Sequence, residues 1–210
     1  MDIHYEILDE HRKAILPALK SMRELGYYLA GGTALALQIG HRDSIDFDFF
    51  CNEPFDTGAL FQKIEQILAG HVLVRTQEEH NTLGLLVDGE IRLSFMTYTY
   101  PLVAPIIEAE YFVLASLLDI GCMKLNAITS RSAYKDYVDL YFILRKIPLN
   151  ELMTHLRIKM PTLDPLLALK SLVYFEDIQH EEILFKTTPV AIETIQAELI
   201  AKVREYRTNI

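Results

Sequence analysis

Two aspartates, Asp46 and Asp48, stand two residues apart in Ser44-Ile45-Asp46-Phe47-Asp48-Phe49-Phe50, and Gly31-Gly32-Thr33 lies a short way upstream. In an extended strand successive side chains alternate, so both carboxylates share one face while Phe47 and Phe49 share the other. Two adjacent like charges on so apolar a strand repel each other, and desolvation penalises both. A divalent cation resolves that conflict: Mg²⁺ takes one or two carboxylates together with phosphate oxygens and waters, and Mn²⁺ is an alternative. The glycines suit the other half of such a site, because a turn without side chains lets backbone N–H groups approach phosphate. The expectation is a metal held by Asp46 and Asp48, and a triphosphate cradled by Gly31, Gly32 and Thr33.

A second group of charged residues lies downstream: Lys124, Arg131, and Lys135-Asp136-Tyr137-Val138-Asp139. Lys124 and Arg131 are seven apart and Lys135 four further on, so an unbroken helix places all three on one face. Ile128-Thr129-Ser130 is a point at which that helix breaks. The row either neutralises phosphate charge or contacts an RNA backbone, with Lys135 or Arg131 pairing to Asp139 or Asp136 as the plainer reading. Arg42 touches a phosphate or a base, or pairs with Asp43 or Asp46.

The elements that position these residues follow from periodicity and turn chemistry. Residues 4–25 read as an amphipathic helix with a kink at Pro17, ended by Gly26. Tyr27 to Ala30 forms a short strand, Thr33 caps a helix reaching about Ile39, and Ile45 to Phe50 is the carboxylate strand. Residues 56–69 form a second amphipathic helix, and His71 to Thr76 an edge strand. Asp88-Gly89 between two apolar runs is the signal of a type I′ hairpin. Beyond about Glu110 the strand signal disappears, and residues 110–126, 133–146, 149–158, 164–175 and 188–206 read as helices. Strands and helices first, helices alone afterwards, make an α+β fold with a mixed, mostly antiparallel sheet. The boundary falls near residues 101–109, giving an α/β core over residues 1–105 and a helical subdomain over 106–210.

At 210 residues and 50% hydrophobic, the chain can bury a substantial core. A net charge of −9 argues against a generally basic surface for nucleic acid, leaving a local patch as the route to such a partner. Two distant cysteines suggest reduced thiols and a cytoplasmic protein. The seven histidines lack the spacing of a zinc site. The residues from Met1 onward lack a secretory leader, and no apolar run reaches the length of a membrane span.

Leu29 to Leu37 followed by His41 to Asp48 resembles the AbiEii-type nucleotidyltransferases, a toxin family of abortive-infection and toxin–antitoxin systems within the polymerase-β-like superfamily. Lys124, Arg131 and Lys135-Asp136-Tyr137-Val138-Asp139 look like that family's downstream Lys…Arg…(Lys/Arg)-Asp-x-x-Asp signature. The resemblance implies a polymerase-β-like core and a Mg²⁺-dependent enzyme moving an NMP from an NTP to an acceptor hydroxyl. It implies an RNA acceptor, tRNA foremost, and a cognate antitoxin. It assigns catalysis to Asp46, Asp48, Lys124 and Asp136, and nucleotide binding to Gly31, Gly32, Thr33, Arg42, Lys124, Arg131 and Lys135. Many superfamily members carry a third carboxylate on a later strand, where this chain has Ser94. Either Asp136 or Asp139 supplies the missing charge, or two carboxylates and the triphosphate suffice, or the chain binds nucleotide without turning it over.

Overall fold

A computed structural model describes residues 2–179 and 181–208; Met1, from which the leader reading starts, and His180, one of the histidines, lie outside them. The chain divides into two compact units, Met1–Pro101 with Pro105–Ala115, and Leu102–Ala104 with Ser116–Ile210.

The first unit is built on a seven-stranded sheet of β1 (Tyr28–Ala30), β2 (Phe47–Cys51), β3 (Leu73–Glu79), β4 (Thr82–Val87), β5 (Ile91–Thr97), β6 (Ile107–Glu108) and β7 (Val113–Leu114), in the order β3-β4-β5-β2-β1-β7-β6. The sheet is mixed and mostly antiparallel: β2 runs parallel to β5 and β1 parallel to β7, while the other pairings are antiparallel. Phe47 and Phe49 place β2 at its centre, because both are fully buried with Leu93 and Phe95 of β5. Phe49 and Phe95 stack with centroids 5.2 Å apart, and Phe112 packs against Phe47 at 5.7 Å. Asp88 and Gly89 both have positive φ, 52° and 74°, as the type I′ hairpin between β4 and β5 requires.

Three helices belong to this unit: α1 (Glu10–Leu19), α2 (Gly31–Ile39) and α3 (Thr57–Ile67). The single helix expected over residues 4–25 is divided. Tyr5–Ile7 is a 3₁₀ turn, Asp9 caps α1 by accepting from the Arg12 N–H at 2.9 Å, and Lys20–Arg23 continues as 3₁₀. Gly26, at φ 81°, ends the run, and the Tyr27 N–H reaches back to the Met22 carbonyl.

The helix expected over 110–126 starts only at α4 (Leu117–Ala127). Leu114 pairs instead with Leu29 of β1, and the Ser116 hydroxyl accepts from the Asp119 N–H at 3.0 Å to set the helix start. α5 (Tyr134–Leu144), α6 (Leu149–Lys159), α7 (Pro165–Leu172) and α8 (Ile192–Thr208) complete the second unit. Residues 128–133 separate α4 from α5, so the helix does break, and the single face proposed for Lys124, Arg131 and Lys135 does not exist. A fully buried ion pair anchors this unit: Asp119 accepts from Lys159 at 2.8 Å and from the backbone N–H of Val103 at 2.9 Å. No helix among the described residues is long and apolar enough to cross a membrane.

Candidate active site

In the first unit, β1 ends at Ala30 and the chain turns directly into α2. Gly31 makes that turn with φ 74°, a conformation that other residues adopt only under strain. The position also lacks room, since a Cβ there would lie 2.9 Å from Asp48 Oδ2. The glycine turn and Asp48 therefore occupy one corner of the sheet, as the pairing of Ala30 with Asp48 requires. Gly32 is crowded from the other side: its Cβ would lie 2.8 Å from Arg42 Nη2 and 3.1 Å from Ser44 Oγ. Arg42 is itself buried and donates to the Asp43 carbonyl at 2.8 Å.

Thr33 does not cap α2. Ala30 holds the cap position and its side chain makes no cap bond. Thr33 lies inside the helix, buried, where its hydroxyl donates to the Asp46 carbonyl and lies 2.8 Å from Ser44 Oγ. Asp46 also falls just before β2, not within it. The Arg12 Nε takes the Ile45 carbonyl at 2.8 Å, and Thr33 takes that of Asp46, so side chains replace the neighbouring strand as partners of both carbonyls. Ile45 is half exposed as a result, whereas Phe47 is fully buried.

Asp46 and Asp48 are both half-buried. Ser94 is the direct neighbour of Asp48 on the parallel strand β5 and is likewise half-buried. No group of three or more His, Cys, Asp or Glu suited to a metal occurs among the described residues. The donor set is thus two hard carboxylate oxygen donors beside the start of α2. That set fits Mg²⁺ or Mn²⁺ bound jointly with phosphate and water, and does not fit a metal caged wholly by protein.

In the second unit, Lys124 of α4 stands between two fully buried carboxylates of α5. Its Nζ lies 2.7 Å from Asp136 Oδ1 and 2.6 Å from Asp139 Oδ2. Arg131 closes on Asp136 from the loop, with Nε 2.7 Å from Oδ2 and Nη2 3.1 Å from Oδ1. Burial alone would raise the Asp136 carboxyl, but the charge of Lys124 and the hydrogen bonds from Arg131 and Lys124 overcome it and hold the carboxyl below its ordinary value. Asp136 and Asp139 both pair with Lys124. Lys135 pairs elsewhere, with Glu181 at 3.6 Å.

Two residues that position the first-unit site carried no role in the sequence reading. Ser44 lies between Thr33 and Gly32, and Arg12 holds the backbone just before Asp46. Arg12 left no signal of this: it stands three residues after the capping Asp9 in the charged run Glu10-His11-Arg12-Lys13, and only its burial in the fold sets it apart.

The sequence profile described as "Nucleotidyl transferase AbiEii toxin, Type IV TA system" matches residues 20–205. An uncharacterized protein of Aquifex aeolicus (strain VF5) is 37% identical over 202 residues, 91% of this chain and 95% of that one. The fold is similar to that of MenT4, a nucleotidyltransferase toxin of Mycobacterium tuberculosis H37Rv, with a TM-score of 0.64 at 15% identity over 91% of this chain and 80% of that one. It is also similar to the Megavirus polyadenylate synthase, with a TM-score of 0.51 at 16% identity over 64% of this chain and 31% of that one. The polymerase-β-like fold and the match along the chain agree: this chain belongs to the AbiEii nucleotidyltransferase toxin family and is a nucleotidyltransferase.

Proposed function

We propose that this nucleotidyltransferase moves an NMP from an NTP to a hydroxyl of an RNA, with tRNA the foremost acceptor, as the toxin of a pair with a cognate antitoxin. The observation that carries the reading is the corner formed by Gly31, Asp48 and the start of α2. Backbone N–H groups of α2 and its positive end receive the phosphates, and Gly31 and Gly32 add no side chain of their own to a turn already bordered by Asp48, Arg42 and Ser44. Arg42, fixed behind Gly32, adds a cation to the same turn. Asp46 and Asp48 would hold the divalent ion, which when bound supplies charge neutralisation at the phosphates and lowers the pKa of the attacking hydroxyl.

Thr33 and Ser44 hold the loop that carries Asp46, and so fix one carboxylate relative to the other. By its match to the family's downstream signature, and because its side chain stays largely exposed, Arg131 is assigned to the charge of the phosphate chain, while Lys124, buried between Asp136 and Asp139, is assigned to positioning. Asp136 is a positioning residue in this reading, because both of its oxygens accept from those two cations. Two carboxylates with the triphosphate are then enough for the metal, and Ser94 needs no acidic substitute.

The test is incubation with each α-labelled NTP, Mg²⁺ and total RNA, following label on RNA and release of pyrophosphate. Label on RNA with one or more NTPs, lost on adding chelator and in Asp46→Asn, is expected. Nucleotide binding without label transfer under any pairing would leave a nucleotide-binding module of the same fold.

A further inference from the structure

A cavity of about 330 Å³ opens within the second unit, where α5 ends, α6 begins and the last turns of α8 pass. Its charged lining is Arg145, Lys146 and Lys202 against one carboxylate, Glu205. For a chain of net charge −9 that is a reversal of sign. The start of α6 faces the same space through Pro148, Leu149 and Asn150, and its cap residue, Pro148, offers no side-chain bond to the first turn. Two independent features therefore favour an anion there, a cationic wall and a helix start without a side-chain cap.

Arg145 is steadied for this role. It donates to the Tyr141 hydroxyl, lies over the Tyr141 ring at 5.2 Å, and keeps only a long contact of 3.8 Å with Glu198. Lys146 is exposed and Lys202 half-buried at the wall.

We propose that this cavity binds backbone phosphates of the RNA acceptor, a site separate from the residues assigned to the NTP. The proposal rests on the reading of the chain as an RNA-directed nucleotidyltransferase. A lone carboxylate gives no pair of acids to bring a metal with a free triphosphate, whereas phosphodiester monoanions need only monovalent cations. An acidic protein that must grip a polyanion does so through a local patch, and binding through such a patch weakens steeply with salt.

The experiment compares wild type with Lys146→Gln/Lys202→Gln, using total tRNA and measuring Kd from 50 to 200 mM KCl together with the KM for NTP. Thermal denaturation checks the fold, and the single exposed change Lys146→Gln serves if the double variant is unstable. RNA affinity about tenfold weaker, a salt slope smaller by roughly 1 to 2, and an unchanged KM for NTP are expected. Unchanged RNA affinity and slope in folded variants overturn the proposal even where label transfer to RNA proceeds. A rise in KM for NTP, or competition by inorganic phosphate at the cavity without any effect on RNA, overturns it in favour of a free-phosphate site. Absence of label transfer in wild type with every NTP and RNA is a failure of the functional reading itself, and with no RNA bound it removes this proposal as well.

Discussion

The molecule contains two pairs of aspartates, and they differ in what surrounds them. Asp46 and Asp48 are spaced for one face of a strand, lie half-buried, and flank Phe47 beside the glycine turn. Asp136 and Asp139 are spaced for one face of a helix, are fully buried, and share the ammonium of Lys124, with Arg131 closing on Asp136. The fold surrounds the two pairs differently. In α5 the neutralising cations are part of the chain, so those acids are fixed. In the first unit the acids lie half-buried at a strand start beside the glycine turn, and under the proposed function they meet the metal and phosphates there. Spacing identified both pairs; burial and the Lys124–Arg131 contacts distinguish the second of them.

The sharpest way to break that contrast is to remove one charge from each. Lys124→Met strips the buried carboxylates of their shared partner and should lower stability by about 3–5 kcal/mol, read as a shift in the urea midpoint. Asp48→Asn should leave that midpoint within about 1 kcal/mol of wild type, since the side chain is half-buried and the change keeps its shape. The same change should lower NMP transfer on the order of a hundredfold, the size of losing one preorganised electrostatic contact. If Asp48→Asn unfolds the chain while Lys124→Met does not, the assignment of roles is reversed.

A smaller effect is expected at the turn that faces Asp48. Gly31→Ala forces an L residue to φ near 74° and sets its Cβ 2.9 Å from Asp48 Oδ2. Strain of about 1–2 kcal/mol in stability should accompany a loss of Mg²⁺-dependent NTP affinity. Full affinity in Gly31→Ala, by equilibrium dialysis with labelled NTP, would reduce the turn to a purely structural element.

Acid tests the second pair in another way. The Asp136 carboxyl is held below its ordinary value in the folded state. Its contribution is therefore fully present above the unfolded-state value of about 3.9 and is lost as pH falls through the lower folded value. Between pH 5 and pH 2 the stability of Asp136→Asn should fall less steeply than that of wild type. Parallel curves would show that Asp136 is not protonated with unfolding in that window.

What the sequence showed of this arrangement depends on how local each signal was. The Asp-Gly hairpin and the Gly26 stop are written in adjacent residues and appear as expected. The two-residue strand Val113–Leu114 is defined by a partner far away in sequence, Leu29, and carries too little periodicity to be seen. The start of α4 was legible in hindsight, because Ser116-Leu117-Leu118-Asp119 is a capping sequence. Asp46 left the strand for a reason no alternation pattern encodes: Arg12 and Thr33 claim the carbonyls of residues 45 and 46. The sequence offered Lys135 or Arg131 as partners of Asp136 and Asp139, and Lys124, the residue that pairs with both, lay one helix away. Only the break between α4 and α5 sends Lys135 to Glu181 and leaves Lys124 between the two acids.

The smallest expected effect concerns the strand position where a third acid is absent. Ser94 pairs directly with Asp48 across the parallel strands β2 and β5, on the face opposite Phe95 and Phe49. Ser94→Asp would set a new carboxylate about 5 Å from that of Asp48, the spacing of neighbouring strands. Without metal, that repulsion should lower stability by about 1 kcal/mol, toward the high-dielectric limit because the position is half-buried. With Mg²⁺, the added ligand should lower the concentration needed for half-maximal transfer by roughly threefold, since a third acid replaces a water that the ion holds in any case. Both effects come from one substitution, so the comparison is internal: destabilisation in chelator that Mg²⁺ reverses means that residue 94 faces the ion. Destabilisation that Mg²⁺ leaves untouched means that the ion lies nearer Asp46, with Asp48 serving the glycine turn, and the two acids of the first unit would then differ in role as sharply as the two pairs do.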